Sequence, residues 1–204
     1  MYSARFLVNM LLIFMPTWGF AAEATLITHD TSADQLFLKI KKSGAKNVTE
    51  AINLFDSKFF KAGNFRLFFK SQSIQPSSRK FPRIVVSGKD SKLFIGFNHR
   101  LGEQRDLELV QFREKQKKWE FREISFEHGR PVLSSPNPKL CLQCHGEPNA
   151  RPNTLRFEAS RLELSMPFPS LIRFLPFEQE TFWRDFVASS KQDVIYSKLD
   201  LPSL

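Results

Sequence analysis

The sequence predicts an α+β protein in which N-terminal helices pack on an antiparallel sheet and a mostly helical or irregular segment follows. Apolar residues first recur at helical spacing, then alternate with a period of two, and this alternation stops at Gly129. The chain has 204 residues, 42% hydrophobic and 25% charged, which suits one domain plus a smaller segment. This ordinary globular composition excludes a fibrous or wholly disordered chain.

The first 22 residues have the pattern of a secretory signal peptide. Arg5 is their only charge, an apolar run follows it, and Pro16 precedes the small residues Gly19, Ala21 and Ala22. The alternative is an uncleaved anchor helix, for which the run is shorter than the roughly 20 residues a membrane span needs. We therefore expect residues 1–22 to be removed and the protein to be exported to the periplasm.

Two helices are expected at the start of the mature chain. Ser32 and Gln35 form a capping box for the first helix, which Gly44 ends. Asn47 opens a second helix, predicted to continue to Gly63. The apolar residues at helical spacing in this second helix are Val48, Ile52, Phe55 and Phe59.

Strands are predicted next. Alternation begins at 65–69, a polar loop covers 71–80, and hairpins are expected from 83–87 with 92–97 and from 107–112 with 119–126. Both strands of the second hairpin change the face of their apolar residues partway, which suggests paired bulges or a coiled edge. These elements define a predicted α+β domain over residues 23–128.

The composition changes at Gly129. Five prolines and no strand pattern occur in residues 129–153, and helical spacing returns afterwards, best over 178–189. We therefore predict a separate segment over residues 129–204.

This segment contains the motif that points to chemistry, Cys141-Leu142-Gln143-Cys144-His145. C-x-x-C-H is the attachment sequence of c-type haem. Two thiols three residues apart can each add to a haem vinyl group, and the next His can bind the iron. Export favours this interpretation, because haem is attached covalently outside the cytoplasm.

Two other interpretations of the cysteines remain open. A C-x-x-C disulfide or thiol redox site usually follows a strand in a thioredoxin-like unit, whereas prolines at 136 and 138 precede Cys141. A zinc site needs four ligands, and the remaining histidines are scattered along the chain.

At Cys141, Cys144, His145 and the following Gly146, the chain resembles the c-type cytochromes. The resemblance covers residues 136–169, about one sixth of the chain. It implies one covalent haem c held through Cys141 and Cys144, with His145 as an iron ligand. Residues 129–204 are therefore predicted to be a haem-binding segment.

The resemblance also implies a second axial ligand. Met166 is the one Met after His145 and is followed by Pro167, as in many cytochromes, although its spacing from His145 is short. Met166 is our predicted metal ligand together with His145. The alternatives are a packing role for Met166, ligation by a histidine, or an open iron position; the candidate histidines are His29, His99 and His128.

Several further residues are candidates for contact with the haem. Three arginines suit the propionates, or else form a solvated basic face: Arg151, Arg156 and Arg161. Three aromatic residues suit the macrocycle, or else belong to the core: Phe157, Phe168 and Trp183.

The charge of the chain bears on its partners. The net charge is +9, and removal of Arg5 leaves 9 − 1 = +8. Because an exported protein does not normally meet nucleic acid, the predicted partner is an acidic redox protein or an anionic membrane surface. The predicted function is one-electron transfer by an exported mono-haem cytochrome, more an electron carrier than a catalyst. The alternatives are a haem enzyme or ligand sensor with open iron, and a non-catalytic interaction module carrying haem.

Overall fold

The computed structural model describes residues 26–69, 77–98, 106–145 and 177–201. Their strands form a six-stranded antiparallel sheet in chain order, β1 to β6. The strands are Phe65–Phe68 (β1), Arg83–Ser87 (β2), Leu93–Asn98 (β3), Asp106–Arg113 (β4), Lys118–Glu127 (β5) and Arg130–Leu133 (β6). The α-helices are Ala33–Ser43 (α1), Val48–Ile52 (α2), Lys139–His145 (α3) and Phe177–Ser190 (α4). The predicted α+β class with an antiparallel sheet is confirmed.

Helix α1 begins and ends where the sequence predicts. The Ser32 hydroxyl accepts the Gln35 backbone N–H at 3.3 Å, and the Gln35 side-chain oxygen accepts the Ser32 N–H at 3.0 Å. Gly44 ends the helix at a φ of 75°, which glycine adopts without steric cost. The helix buries Leu36 and Ile40.

The second helix is shorter than predicted. Chain segment 26–28 lies beside residues 54–56, and Ile27 and Phe55 form a parallel β-bridge. The Ile27 N–H donates to the Leu54 carbonyl at 2.7 Å, and the Asp56 N–H donates to the Ile27 carbonyl at 2.9 Å. The prediction of one helix continuing to Gly63 was therefore wrong, because these backbone groups bind a neighbouring segment instead of helical partners.

Both predicted hairpins are present, but the predicted bulges are not. Pairing between β4 and β5 continues without interruption from Asp106 opposite Ser125 to Arg113 opposite Lys118. Leu109 and Val110 point to opposite faces of the sheet, yet they are only 1% and 8% exposed. The change of face in the sequence thus reflects burial on both sides of the sheet.

The two faces of the sheet differ in what they bury. The core face carries Ile95, Leu109 and Ile124, which belong to the main apolar core. This core also contains residues from the helices and the C-terminal region, among them Leu36, Ile52, Phe59, Trp183, Phe186 and Tyr196. The opposite face, called here the outer face, carries Val110 and Phe121.

The predicted helix at 178–189 is confirmed as α4. Its Phe186 ring lies 5.3 Å from that of Phe69. Farther along the chain, the Tyr196 hydroxyl donates to the Pro82 carbonyl at 2.6 Å. Residues near the C-terminus thus contact the first strands of the sheet.

The chain after residue 128 is more regular than predicted. His128 and Gly129 have φ values of 49° and 71° and form the turn between β5 and β6. The predicted boundary between residues 128 and 129 falls in this turn, between paired strands. Strand β6 was not predicted because it is short and contains Pro131, which is tolerated only at a sheet edge or a similar position.

Within the described ranges, no helix is long and apolar enough to cross a membrane. The predicted signal peptide, residues 1–22, lies outside those ranges.

Candidate functional site

The C-x-x-C-H sequence lies on α3. The Leu142 N–H donates to the Pro138 carbonyl at 3.2 Å, which forms the first turn of this helix. Residues three and four apart share one face of an α-helix. The backbone therefore places residues 141, 144 and 145 on one side of α3. The Cys141 side chain is half-buried.

The segment before α3 is fixed to the edge of β5. Ser134 and Glu123 bond twice: the Ser134 N–H donates to the Glu123 carbonyl at 2.9 Å, and its hydroxyl accepts the Glu123 N–H at 3.0 Å. Asn137 and Phe121 also bond twice: the Asn137 N–H donates to the Phe121 carbonyl at 2.8 Å, and the Asn137 side-chain oxygen accepts the Phe121 N–H at 2.9 Å. The chain thus continues beside β5 toward Trp119, and α3 begins close to that end of the strand.

Asn137 also turns the chain into the helix. Its φ is 55°, in the left-handed region that Asn adopts more readily than most residues. Its side-chain oxygen bonds to β5 at the same time, so one residue sets both the direction and the attachment of α3.

The residue order on this helix is that of a covalent haem-attachment sequence. Two cysteines and a histidine occur at the attachment spacing on one helical turn and a half. In the part of the chain that the structure describes, no group of three or more His, Cys, Asp or Glu residues is gathered to hold a metal ion. The zinc interpretation of the cysteines therefore finds no ligand cluster among these residues.

The outer face carries a buried ion pair one strand away from β5. The Arg83 guanidinium bonds to the Glu108 carboxylate, and each side chain is 11% exposed. The guanidinium passes over Gly96 of β3, where a Cβ atom would lie 2.6 Å from an Arg83 nitrogen. A glycine at this position therefore gives Arg83 room to reach Glu108.

Glu123 lies directly opposite Glu108 across the β4–β5 pair. Burial, and then the neighbouring carboxylates Asp106 and Glu108, raise the pKa of Glu123 to about 7. Glu123 therefore binds a proton near neutral pH, at the point where the segment leading to α3 is attached.

A second ionic network lies on the opposite side of the sheet. Arg113 contacts Asp34 of α1 at 2.9 Å and Glu120 at 2.5 Å, and Arg122 contacts Glu120 at 2.7 Å. Burial raises the pKa of Glu120, but the hydrogen bonds from Arg113 and Arg122 together lower it below its usual range. This network joins α1 to β4 and β5, and Arg122 also donates to the Ser134 carbonyl at 3.2 Å.

The structure describes two of the histidine candidates and separates one of them, His128, from α3. His128 is exposed in the β5–β6 turn, seven residues along β5 from Phe121, which is roughly 23 Å at the rise of a strand. His29 packs against Phe59 with ring centroids 4.2 Å apart, beside the β2–β3 turn. His99 and Met166 lie outside the described residues.

The other predicted haem contacts are divided in the same way. Trp183 is 1% exposed and belongs to the main core, which is the alternative that the sequence left open for it. Five candidates lie outside the described residues: Arg151, Arg156, Arg161, Phe157 and Phe168.

The sequence did not predict the roles of Ser134 and Asn137, which depend on pairing with β5. The Asn-Pro dipeptide at 137–138, a common turn signal, was the one available indication.

The chain was compared with family models, curated proteins and solved structures, and none of them matches it.

Proposed function

We propose that this protein is an exported, periplasmic c-type cytochrome that carries one haem and transfers single electrons. The observation that carries the proposal is the C-x-x-C-H sequence on a short helix attached to the edge of β5. The predicted signal peptide supports it, because haem attachment of this kind takes place outside the cytoplasm.

On this proposal, Cys141 and Cys144 hold the haem through thioether bonds, and His145 binds the iron. Each S–H adds across one vinyl double bond, so the mass of the chain increases by that of one haem. Met166 is the proposed second axial ligand. The haem iron supplies the one-electron chemistry, and the protein sets its potential through axial ligation, burial and hydrogen bonding.

The remaining chain has the role of a scaffold. Helices α1 and α2 are proposed to form the layer behind the sheet, and residues 129–204 the haem-binding segment. The hydrogen bonds that Ser134 and Asn137 accept from β5 fix the start of α3, which carries the proposed haem-binding residues.

The decisive experiment is expression with a periplasmic haem-maturation system, followed by intact-mass measurement and haem-stained electrophoresis. We expect a mass increase of one haem in the wild type. The double variant Cys141→Ala/Cys144→Ala is expected to carry no haem, while Ser32→Ala, far from α3 in the sequence, retains it. A bare polypeptide with a Cys141–Cys144 disulfide would contradict the proposal.

An optical spectrum tests the proposed Met166 ligand. Met166→Ala should remove the sulfur-to-iron charge-transfer band, allow carbon monoxide to bind and lower the potential, because sulfur ligation favours ferrous iron. A wild-type protein that already binds carbon monoxide would instead favour the open-iron enzyme or sensor.

The proposed partner is an acidic redox protein, or an anionic membrane surface. Raising salt from about 0.01 to 0.15 M shortens the Debye length from roughly 30 to 8 Å and should slow electron transfer. A rate that is constant over this range would restrict the role of the basic charge to solubility.

A further inference from the structure

Three aromatic side chains cluster on the outer face of the sheet. Phe112 and Trp119 lie opposite each other on β4 and β5, with ring centroids 5.2 Å apart. Phe94 of β3 lies 6.1 Å from Trp119. All three are half-buried, and they adjoin the buried side chains of Val110 and Phe121. We call Phe94, Phe112 and Trp119 the aromatic wall.

The aromatic wall is outside the main core. Val110 and Phe121 are 8% and 1% exposed, but neither belongs to the apolar core formed by the helices and the other face. This side of the sheet therefore has a second, smaller apolar layer. A half-exposed group of large aromatic rings is a common sign of a binding surface.

Helix α3 lies at the same end of the sheet as the aromatic wall. Residue 134 bonds to Glu123 and residue 137 to Phe121, so the chain advances along β5 toward Trp119. Helix α3 starts two residues after Asn137 and contacts β5. Leu140 on this helix is 47% exposed, so apolar surface is available there as well.

We propose that the aromatic wall is the surface against which a haem attached to Cys141 and Cys144 packs. This inference rests on the proposed function, and it adds a binding surface that the motif itself does not contain. A macrocycle is flat and largely apolar, and aromatic rings pack well against such a surface in offset or edge contacts. Helix α3, which carries the two cysteines, begins near the end of β5 that holds Trp119.

The first test is NMR of the haem-loaded protein with labelled indole nitrogens. Trp119 is on the wall, whereas Trp183 lies in the core behind the sheet. Ferric iron shifts nearby protons strongly, and the effect falls steeply with distance. We expect the Trp119 indole proton to shift more between the oxidised and reduced forms than that of Trp183. A Trp119 shift no larger than that of Trp183, with haem attached, would overturn the inference.

The second test compares Phe112→Leu and Trp119→Leu with Phe126→Leu. Phe126 is also half-buried on the sheet but packs against the main core, so it is a matched control. Soret-band circular dichroism should weaken in the two wall variants and remain in the control. Unchanged Soret spectra in the two wall variants would overturn the inference. If these variants also slowed reduction by an acidic partner, the aromatic wall would be a docking surface instead. Absence of haem from the wild type would overturn both this inference and the proposed function.

Discussion

The two faces of the sheet differ in composition and in burial. The core face carries the strand residues of the main apolar core, such as the fully buried Ile95 and Phe97, and also the ionic network of Arg113, Glu120 and Arg122. The outer face has a buried ion pair, a carboxyl group that binds a proton near pH 7 and three half-buried aromatic rings. The faces thus differ chiefly in how completely they bury their large apolar and aromatic side chains.

Neighbouring residues of a single strand belong to different faces of the sheet. On β3, Phe97 belongs to the core face, whereas Phe94 and Gly96 belong to the outer face. Neighbouring substitutions in one strand can therefore test the two faces independently.

The largest expected effect is on the core face. Phe97→Ala should lower the free energy of unfolding by about 3–5 kcal/mol, because it leaves a cavity among fully buried side chains. Phe94→Ala should cost less, because Phe94 is half-exposed. Urea denaturation of both variants in the haem-free Cys141→Ala/Cys144→Ala background measures the difference. Equal losses would show that the two faces contribute alike.

The ion pair of the outer face should have the next largest effect. Arg83→Met leaves the Glu108 carboxylate without its guanidinium in a mostly buried site and should cost about 3 kcal/mol. Adding Glu108→Gln should recover part of this loss, since a neutral amide is less costly to bury. Chemical denaturation at neutral pH provides the comparison. A single-variant cost below about 1 kcal/mol would indicate that solvent reaches the pair.

A smaller effect is expected from pH. The pKa of Glu123 is about 7 in the folded state against the usual 4.5 of a glutamate, so between these values the folded state binds more protons than the unfolded state. Stability from this group is therefore greatest at the acidic end of that window and decreases as pH rises through about 7. Because Glu123 is partly exposed, solvent screening limits the change to about 1–2 kcal/mol.

Thermal melts across that pH window measure this dependence. Glu123→Gln should flatten it, whereas Glu127→Gln, an exposed residue at the end of the same strand, should leave it unchanged. A steep dependence that persists in Glu123→Gln would assign it to other groups.

The smallest expected effect is at the start of α1, which belongs to the core side. Ser32→Ala removes the side-chain acceptor of the capping box and should cost about 1 kcal/mol. Ser32→Asp keeps an acceptor and serves as the control. Urea denaturation should rank Ser32→Ala below Phe97→Ala and Arg83→Met, and a larger loss would mean that the cap also supports the neighbouring contacts of Asp34.

The success of the sequence-based predictions depended on how local each feature is. Helix α1 and both hairpins follow from neighbouring residues, such as the capping pair Ser32 and Gln35, and were predicted correctly. The end of α2 depends on Ile27, which binds residues 54–56 from a distance in the chain. The bulges predicted in β4 and β5 are absent because both faces of these strands are partly buried. In the sequence, apolar residues on both faces look the same as a shift of one apolar face by one residue.

The same distinction applies to the candidate site. The cysteine motif is contiguous, so its residues could be identified from the sequence. Its surroundings are assembled by strand pairing, which places Asn137 at Phe121 and Phe112 at Trp119. The predicted hairpin of 107–112 with 119–126 already implies that Phe112 lies opposite Trp119, whereas the bond of Asn137 to Phe121 and the place of Phe94 beside Trp119 became visible only when the register of the sheet was known.

The chain-order arrangement of the six strands has a consequence for folding kinetics. Each strand pairs with its sequence neighbour, so the sheet can form in short steps, and proteins with such local contacts fold fast. The bond from Tyr196 to Pro82 is an exception, because it joins residues 114 positions apart and must close a long loop. We therefore expect docking of the C-terminal region to be the slow step. The edge of β5 that holds α3 is then complete earlier, so that on the proposed function the haem-attachment helix is in place before the C-terminal region docks.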